Sequence, residues 1–273
     1  MIIDCKSISK EIDSNVKERI EKLGFQPKLV AITSKPDPST ITYLNSQGKK
    51  AGKLGIEFDV MEGPNMHELM KVISALASDE KVHGIFLTHP LPEGVDEFEL
   101  TLRIPPEKDV EGRTPYNLGM LIHEKEFFPP CTAEAAIRIL EKNTELRGKR
   151  VAVIGRSVTV GKPVAIMLLK KGRDATVTVC HSKTKEIEKI TLQSEVVVVA
   201  VGRAKFLKPE MVKENTIVID VGINVVDNQI IGDADPELEK KALVTPVPGG
   251  VGRVTTSLLM EHVVRAAERF VKR

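Results

Sequence analysis

The residues able to do chemistry fall in a few short stretches. TYLNSQGKKAGKLGI, residues 42–56, carries Tyr43, Gln47 and Lys50. At about 100° per helical residue, Gln47 projects roughly 40° to one side of Tyr43 and Lys50 roughly 20° to the other, two turns along. All three thus share one helical face. An amide neither gives nor takes a proton near neutral pH, so Gln47 offers hydrogen bonds only. Lys50 either carries a proton for chemistry on this face or is a surface charge. THPLPEG places Thr88 at a strand end, and EKDVEG holds Asp109 and Glu111 one residue apart. In an extended segment those two carboxylates face the same way; otherwise they belong to a solvated loop.

A second group of stretches suits a phosphorylated ligand. In KRVAVIGRSVTVGKPVAIMLL an apolar strand runs into Gly155, Arg156 and Ser157, and Gly161 opens an apolar helix. Free backbone N–H groups at such a helix start can receive a phosphate, although the G-x-S-x-x-x-G spacing also fits a plain tight turn. The next strand, ATVTVC, ends in His181, Ser182 and Lys183 rather than in the acid that would hold a ribose 2′-hydroxyl. With Arg156 beside the turn, that pattern favours NADP over NAD, unless these are solvated loop residues. IDVGIN ends a strand at Gly222 and Ile223. PVPGGVGRVTTSLL, with Pro248, Gly249 and Gly250, lets backbone approach a flat ring or simply makes a rigid turn.

The elements that must position these groups alternate along the chain. Periodicity and punctuation predict helices over 7–23, the 42–56 stretch and 66–77, with strands over 28–33, 56–61 and 84–88. A proline-rich irregular segment follows at 105–119. Thr132 reads as the N-cap of a helix running to Lys142. Beyond Val151 the alternation restarts, through a helix over 162–170, and closes in a helix ending near Phe270. Such alternation implies α/β architecture with mostly parallel sheets. Two domains are expected, one from 1–125 plus the C-terminal helix 255–273, and a Rossmann-type domain from 126–254.

Bulk properties agree with an ordinary globular protein. The 273 residues are 41% hydrophobic and 29% charged, with a net charge of +2. That balance gives no electrostatic case for nucleic acid or membrane, and no apolar run approaches the ~18 residues needed to span a bilayer. Cys5, Cys131 and Cys180 form no CxxC pair, and the histidines lack ligand spacing, so a cytoplasmic protein without a metal site is expected.

With these stretches in order, the chain resembles the methylenetetrahydrofolate dehydrogenase/cyclohydrolase family over essentially its whole length. GRSVTVGKP, ATVTVCHSKT, IDVGIN, TPVPGGVGRVT, PPCTAEAA, PEKDVEG and the spacing of Tyr43 before Gly55 carry the resemblance. It implies a cytosolic homodimer in which a cleft lies between a folate-binding catalytic domain and an NADP-binding domain. It further implies that Tyr43 stacks on or near the pterin and that Glu111 contacts the pterin nitrogens. Pro248, Gly249 and Gly250 would shape the folate cleft. Gly155, Arg156, Ser157, Ser182 and Ile223 would contact NADP, with Arg156 and Ser182 at the 2′-phosphate.

Several positions depart from the family pattern. Gln47 stands where the family usually carries its catalytic lysine, Thr88 where it carries glutamine, Glu111 where it carries aspartate, and Arg253 where it carries proline. Oxidation of the methylene bridge needs alignment but no proton donor, whereas hydrolysis of the methenyl cation needs proton shuttling. An active dehydrogenase with a weakened cyclohydrolase is therefore expected. Two alternatives stand beside it: an NADP oxidoreductase of the shikimate-dehydrogenase kind, and a folate- and NADP-binding protein without catalysis.

Overall fold

The computed structural model describes residues 1–227 and 229–271. The chain divides into two compact units, one formed by Glu11–Cys131 with Thr256–Arg273, the other by Met1–Lys10 with Thr132–Thr255.

In the first of these, helix α1 (Cys5–Leu23), most of which belongs here, leads into β1 (Lys28–Thr33), α2 (Pro38–Leu54), β2 (Glu57–Glu62), α3 (Met66–Ser78) and β3 (Gly84–Leu87). The strands pair in parallel in the order β2-β1-β3. β1 is central and buried on both faces, which is why it reads as the continuous apolar run LVAI between Lys28 and Thr33. Val30, Ile32, Ile85 and Leu87 pack with Leu69, Ile73 and Leu76 of α3 to form the core.

Helix α2 begins where Asp37 accepts a hydrogen bond from Thr40 N–H at 2.7 Å, with Pro38 in the first turn, and ends at Gly55 in the left-handed region (φ 87°). Its buried stripe is Thr40, Leu44, Gln47, Ala51 and Leu54. Gln47 occupies the centre of a stripe that is otherwise aliphatic or small, 2% exposed. Two short helices complete this region, α4 (Glu97–Thr101) and α5 (Pro115–Ile122). The irregular segment expected over 105–119 thus stops at Thr114, which caps α5 by accepting from Asn117 N–H.

The second unit receives helix α6 (Cys131–Asn143) almost entire, then β4 (Arg150–Ile154), α7 (Gly161–Leu169), β5 (Thr176–Cys180), α8 (Ile187–Gln193), β6 (Val196–Val199) and β7 (Ile217–Asp220). A hairpin of β8 (Asn224–Val226) and β9 (Gln229–Ile231), the short β10 (Leu243–Val244) and the start of α9 (Val251–Val271) follow. Five strands form a parallel sheet in the order β10-β7-β6-β4-β5. The order reverses beside β4, and the crevice at the carboxyl ends of β4 and β6 is where such sheets take ligands.

Three expectations need correction. Thr132 lies inside α6 rather than capping it, because the helix starts at Cys131, whose N–H is held by the Glu111 carbonyl. The chain changes unit after Cys131, not at 125. The first ten residues belong to the nucleotide-type unit: Ile3 N–H donates to the Val244 carbonyl at 2.9 Å and Ile2 bridges Val244 in parallel. Pairing over more than 240 residues leaves no local sequence signal.

Candidate functional site

The site in the first unit is built on α2. Tyr43 is 42% exposed, so one ring face is available for stacking, while burial of its hydroxyl end and the nearby charge of Glu111 push its pKa upward. The Gln47 amide lies one turn from Tyr43 and donates through Nε2 to Thr256 Oγ1 at 3.3 Å. Gln47 Oε1 is buried and has no hydrogen-bond partner.

Lys50, one turn further along α2, is neither a surface charge nor a free proton relay. Its Nζ pairs with Asp13 and donates to Ser257 Oγ at 3.1 Å, with the side chain largely covered. Thr88 also turns away from ligand duty, since its hydroxyl donates to Thr33 Oγ1 at 2.9 Å within the sheet end.

The 107–113 loop separates the two acids that an extended segment would have aligned. Asp109 is buried and spends its carboxylate on the chain itself, accepting from Arg113 N–H at 3.1 Å, Thr114 N–H at 2.7 Å and Asn117 Nδ2 at 2.9 Å. It holds the loop rather than a ligand. The turn then closes at Gly112 (φ +69°), where a Cβ would come within 2.4 Å of the Pro129 carbonyl. Glu111 remains part-buried, and burial pushes its carboxyl up to about 7 against the opposing pull of Arg113. Arg113 lies 3.5 Å from Glu111, pairs with Glu97, and approaches both ring nitrogens of His89 at 3.4 Å.

Behind this loop the Val110 carbonyl accepts from His262 Nδ1 at 2.8 Å and from Cys131 Sγ at 3.1 Å. The His262 ring, fully buried, also packs on Phe128 at 4.9 Å. The backbone immediately before Glu111 is thereby fixed.

In the other unit the turn after β4 is tighter than its glycines suggest. Gly155 (φ +124°) passes so close to the Ala200 carbonyl that a Cβ would lie 2.3 Å from it, and one on Gly161 would lie 2.1 Å from the Gly155 oxygen. Ser157 Oγ accepts from Val160 N–H at 3.1 Å and Gly161 N–H at 3.3 Å, and the Ser157 carbonyl accepts from Lys162 N–H. The helix-start N–H groups expected to receive a phosphate are thus already engaged by Ser157. What the turn and the end of β5 do present is the exposed guanidinium of Arg156 with the exposed hydroxyls of Ser157 and Ser182, and no carboxylate among 180–184. That donor set fits a dinucleotide phosphate. Ile223 is 67% exposed at the end of β7, a free apolar surface for a flat ring.

Pro248, Gly249 and Gly250 lie in this unit too; Gly249 has open space around its α-carbon, whereas a Cβ on Gly250 would meet the Pro246 carbonyl at 2.2 Å. Nearby, a cavity of about 280 Å³ is bordered by Asp220, Thr245 and the β9 strand. The Asp220 carboxylate there is occupied by the N–H groups of Gly222, Asp233 and Ala234.

Two family models match the chain: the catalytic domain of tetrahydrofolate dehydrogenase/cyclohydrolase over residues 3–111, and its NAD(P)-binding domain over residues 130–271. The bifunctional protein FolD of Thermotoga maritima is 62% identical over 269 residues, spanning 98% of this chain and 99% of that one. This chain belongs to the tetrahydrofolate dehydrogenase/cyclohydrolase family. The bifunctional 5,10-methylenetetrahydrofolate dehydrogenase/cyclohydrolase of Thermoplasma acidophilum superposes with a TM-score of 0.94 at 39% identity, covering all of both chains. The Trypanosoma brucei methylenetetrahydrofolate dehydrogenase-cyclohydrolase, solved with NADP and an inhibitor, gives 0.94 at 32% identity over 100% of this chain and 99% of that one.

Family membership establishes dehydrogenase/cyclohydrolase-type enzymes as the frame for these residues and sets aside the shikimate-dehydrogenase kind. It also frames what sequence reasoning overlooked. Arg113 could have been noticed as a cation two residues after Glu111. Thr256 and His262, more than 140 positions from the loops and helix they support, carried no local signal.

Proposed function

We propose that this protein oxidises 5,10-methylenetetrahydrofolate to the methenyl form with NADP, and that its hydrolysis of the methenyl cation is weak. One observation carries the second half: the side chain at the position where the resemblance places a lysine is a buried amide, Gln47, whose Nε2 donates to Thr256. An amide neither gives nor takes a proton near neutral pH, and losing general acid–base assistance costs about 10² to 10⁴ in rate. Lys50 does not restore it, being paired with Asp13.

Oxidation is less demanding. Bound NADP supplies the hydride acceptor; the chain's task is to hold the folate in line and keep it still. Tyr43 offers a ring face, Glu111 accepts from pterin N–H groups, and Asp109, His262 and Cys131 keep the Glu111 loop rigid. Arg156 and Ser182 carry charge and hydroxyl suited to a 2′-phosphate, which supports NADP over NAD. The resemblance further supports a cytoplasmic homodimer acting in one-carbon metabolism, where formyl and methenyl folates feed purine biosynthesis.

The test is to assay purified protein separately for NADPH formation from methylenetetrahydrofolate and for loss of methenyl absorbance above the uncatalysed rate. Robust NADPH formation with little hydrolysis is expected. Strong hydrolysis would refute the weakened-hydrolase half, and binding of both ligands without NADPH formation would leave a non-catalytic binding protein.

A further inference from the structure

We propose that Gln47 Oε1 is a catalytic group in its own right: a fixed acceptor that faces the one-carbon bridge of the folate and stabilises the positive charge that oxidation creates there. The proposal rests on the folate dehydrogenase function above and says how the site tells the methenyl cation from uncharged folates.

The geometry of the amide is the starting point. A free glutamine can present either end to a ligand, but here Nε2 is held by Thr256 Oγ1 at 3.3 Å. The oxygen is left buried and unpartnered, and such an acceptor is costly to maintain without a purpose. Every other residue of the α2 buried stripe is aliphatic or small. Gln47 therefore keeps the negative end of its amide dipole unpaired within the buried stripe of α2, one turn from Tyr43.

Oxidation of the methylene bridge breaks one C–H bond, and its hydrogen leaves with both electrons to the nicotinamide. A neighbouring nitrogen lone pair completes a C=N bond, so a single positive charge appears across the N–C–N unit. No proton moves. An acceptor already fixed in a poorly solvated place interacts more strongly with that charge than with the neutral substrate, and needs no reorganisation when the charge appears. A lysine in the same place would oppose the charge. The same residue that removes the proton relay thus favours formation and retention of the cation. Glu111, Asp109, Glu97, Arg113, His89, Cys131, His262, the Lys50–Asp13 pair and the Tyr43 hydroxyl are charged or titratable groups about the site, and substituting Gln47 leaves all of them in place.

The test compares equilibrium binding of 5,10-methenyltetrahydrofolate, with its cationic N–C–N bridge, and tetrahydrofolate, which lacks that charge, by calorimetry or fluorescence at mildly acidic pH where the cation persists. The affinity ratio, cation over neutral, is measured for wild type, Gln47→Met and Gln47→Lys. A ratio about tenfold lower in Gln47→Met, the effect of one good polar contact, and lower still in Gln47→Lys, is expected. Ratios within twofold of wild type would overturn the proposal. Should Gln47→Met fail to fold, Gln47→Lys decides, because lysine is the side chain that the family pattern places there. NADPH formation by the wild type separates the two levels: its absence removes the folate function itself, whereas its presence with unchanged ratios removes only the role of Oε1.

Discussion

Gln47 Nε2 donates to Thr256 Oγ1 at 3.3 Å, tying the middle of α2 to α9 across 209 positions of sequence. The next rung is Lys50 with Ser257. Removing the first acceptor with Thr256→Val leaves a Gln47 N–H unpaired in a buried place, which costs about 1–3 kcal/mol. A lower melting temperature is expected together with a fall in dehydrogenase kcat, because the amide is then free to turn. Unchanged kcat with lowered stability would show that the amide orientation is irrelevant to hydride transfer.

Lys50→Met should leave the pH profile of methenyl hydrolysis where it is, since Lys50 is engaged by Asp13 rather than facing a ligand. The substitution strands a part-buried Asp13 carboxylate, so a stability loss of about 1–3 kcal/mol is expected in urea titration. A shifted hydrolysis profile in the variant would restore Lys50 as a proton relay.

Glu111 gives the protein a pH signature of definite sign. Its folded pKa is raised by burial from 4.5 to about 7, so the folded state binds the proton more tightly than the unfolded chain. The cost of holding it charged is absent below about pH 4.5, grows as pH rises, and is complete above about pH 7. Relative to Glu111→Gln, which stays neutral throughout, the wild type should lose up to about 3 kcal/mol of stability across that window. Urea midpoints of the two proteins at several pH values measure it; parallel curves would mean that the carboxyl is not desolvated.

Asp109→Ala should be far more damaging than its place in a loop suggests. Three donors, two backbone and one from Asn117, lose their shared acceptor at once. A loss of about 3 kcal/mol or more is expected, with raised KM for folate as the Glu111 loop loosens. Asp109→Asn, which keeps an acceptor, should recover part of the stability by thermal melt; equal damage from both would point to charge rather than hydrogen bonding.

Much of the architecture was legible in the sequence because its signals are local. The continuous apolar runs of β1 and β6 marked buried parallel strands, and Pro38 and Gly55 punctuated α2. The family motifs marked the presence of two α/β domains. Harder to see was α5, hidden behind prolines that open a helix as readily as they break one. The N-terminal ten residues carry no local sign of the unit they join, because their pairing partner, Val244, lies at the far end of the chain.

The same division runs through the site. Residue identity alone determined that Gln47 cannot shuttle protons, that the end of β5 carries no acid to repel a 2′-phosphate, and that Tyr43 and Gln47 share a helical face. Only the tertiary structure decided which polar atoms remain free to meet a ligand. Asp109, Thr88, Lys50 and the helix-start N–H groups behind Ser157 all looked available, and each is taken: Thr88 and Lys50 by Thr33 and Asp13 from distant elements, Asp109 and the helix-start N–H groups by the folding of their own loops. A buried polar atom must find a partner, and chain folding, not chain spacing, supplies it. That accounting leaves Gln47 Oε1 without one.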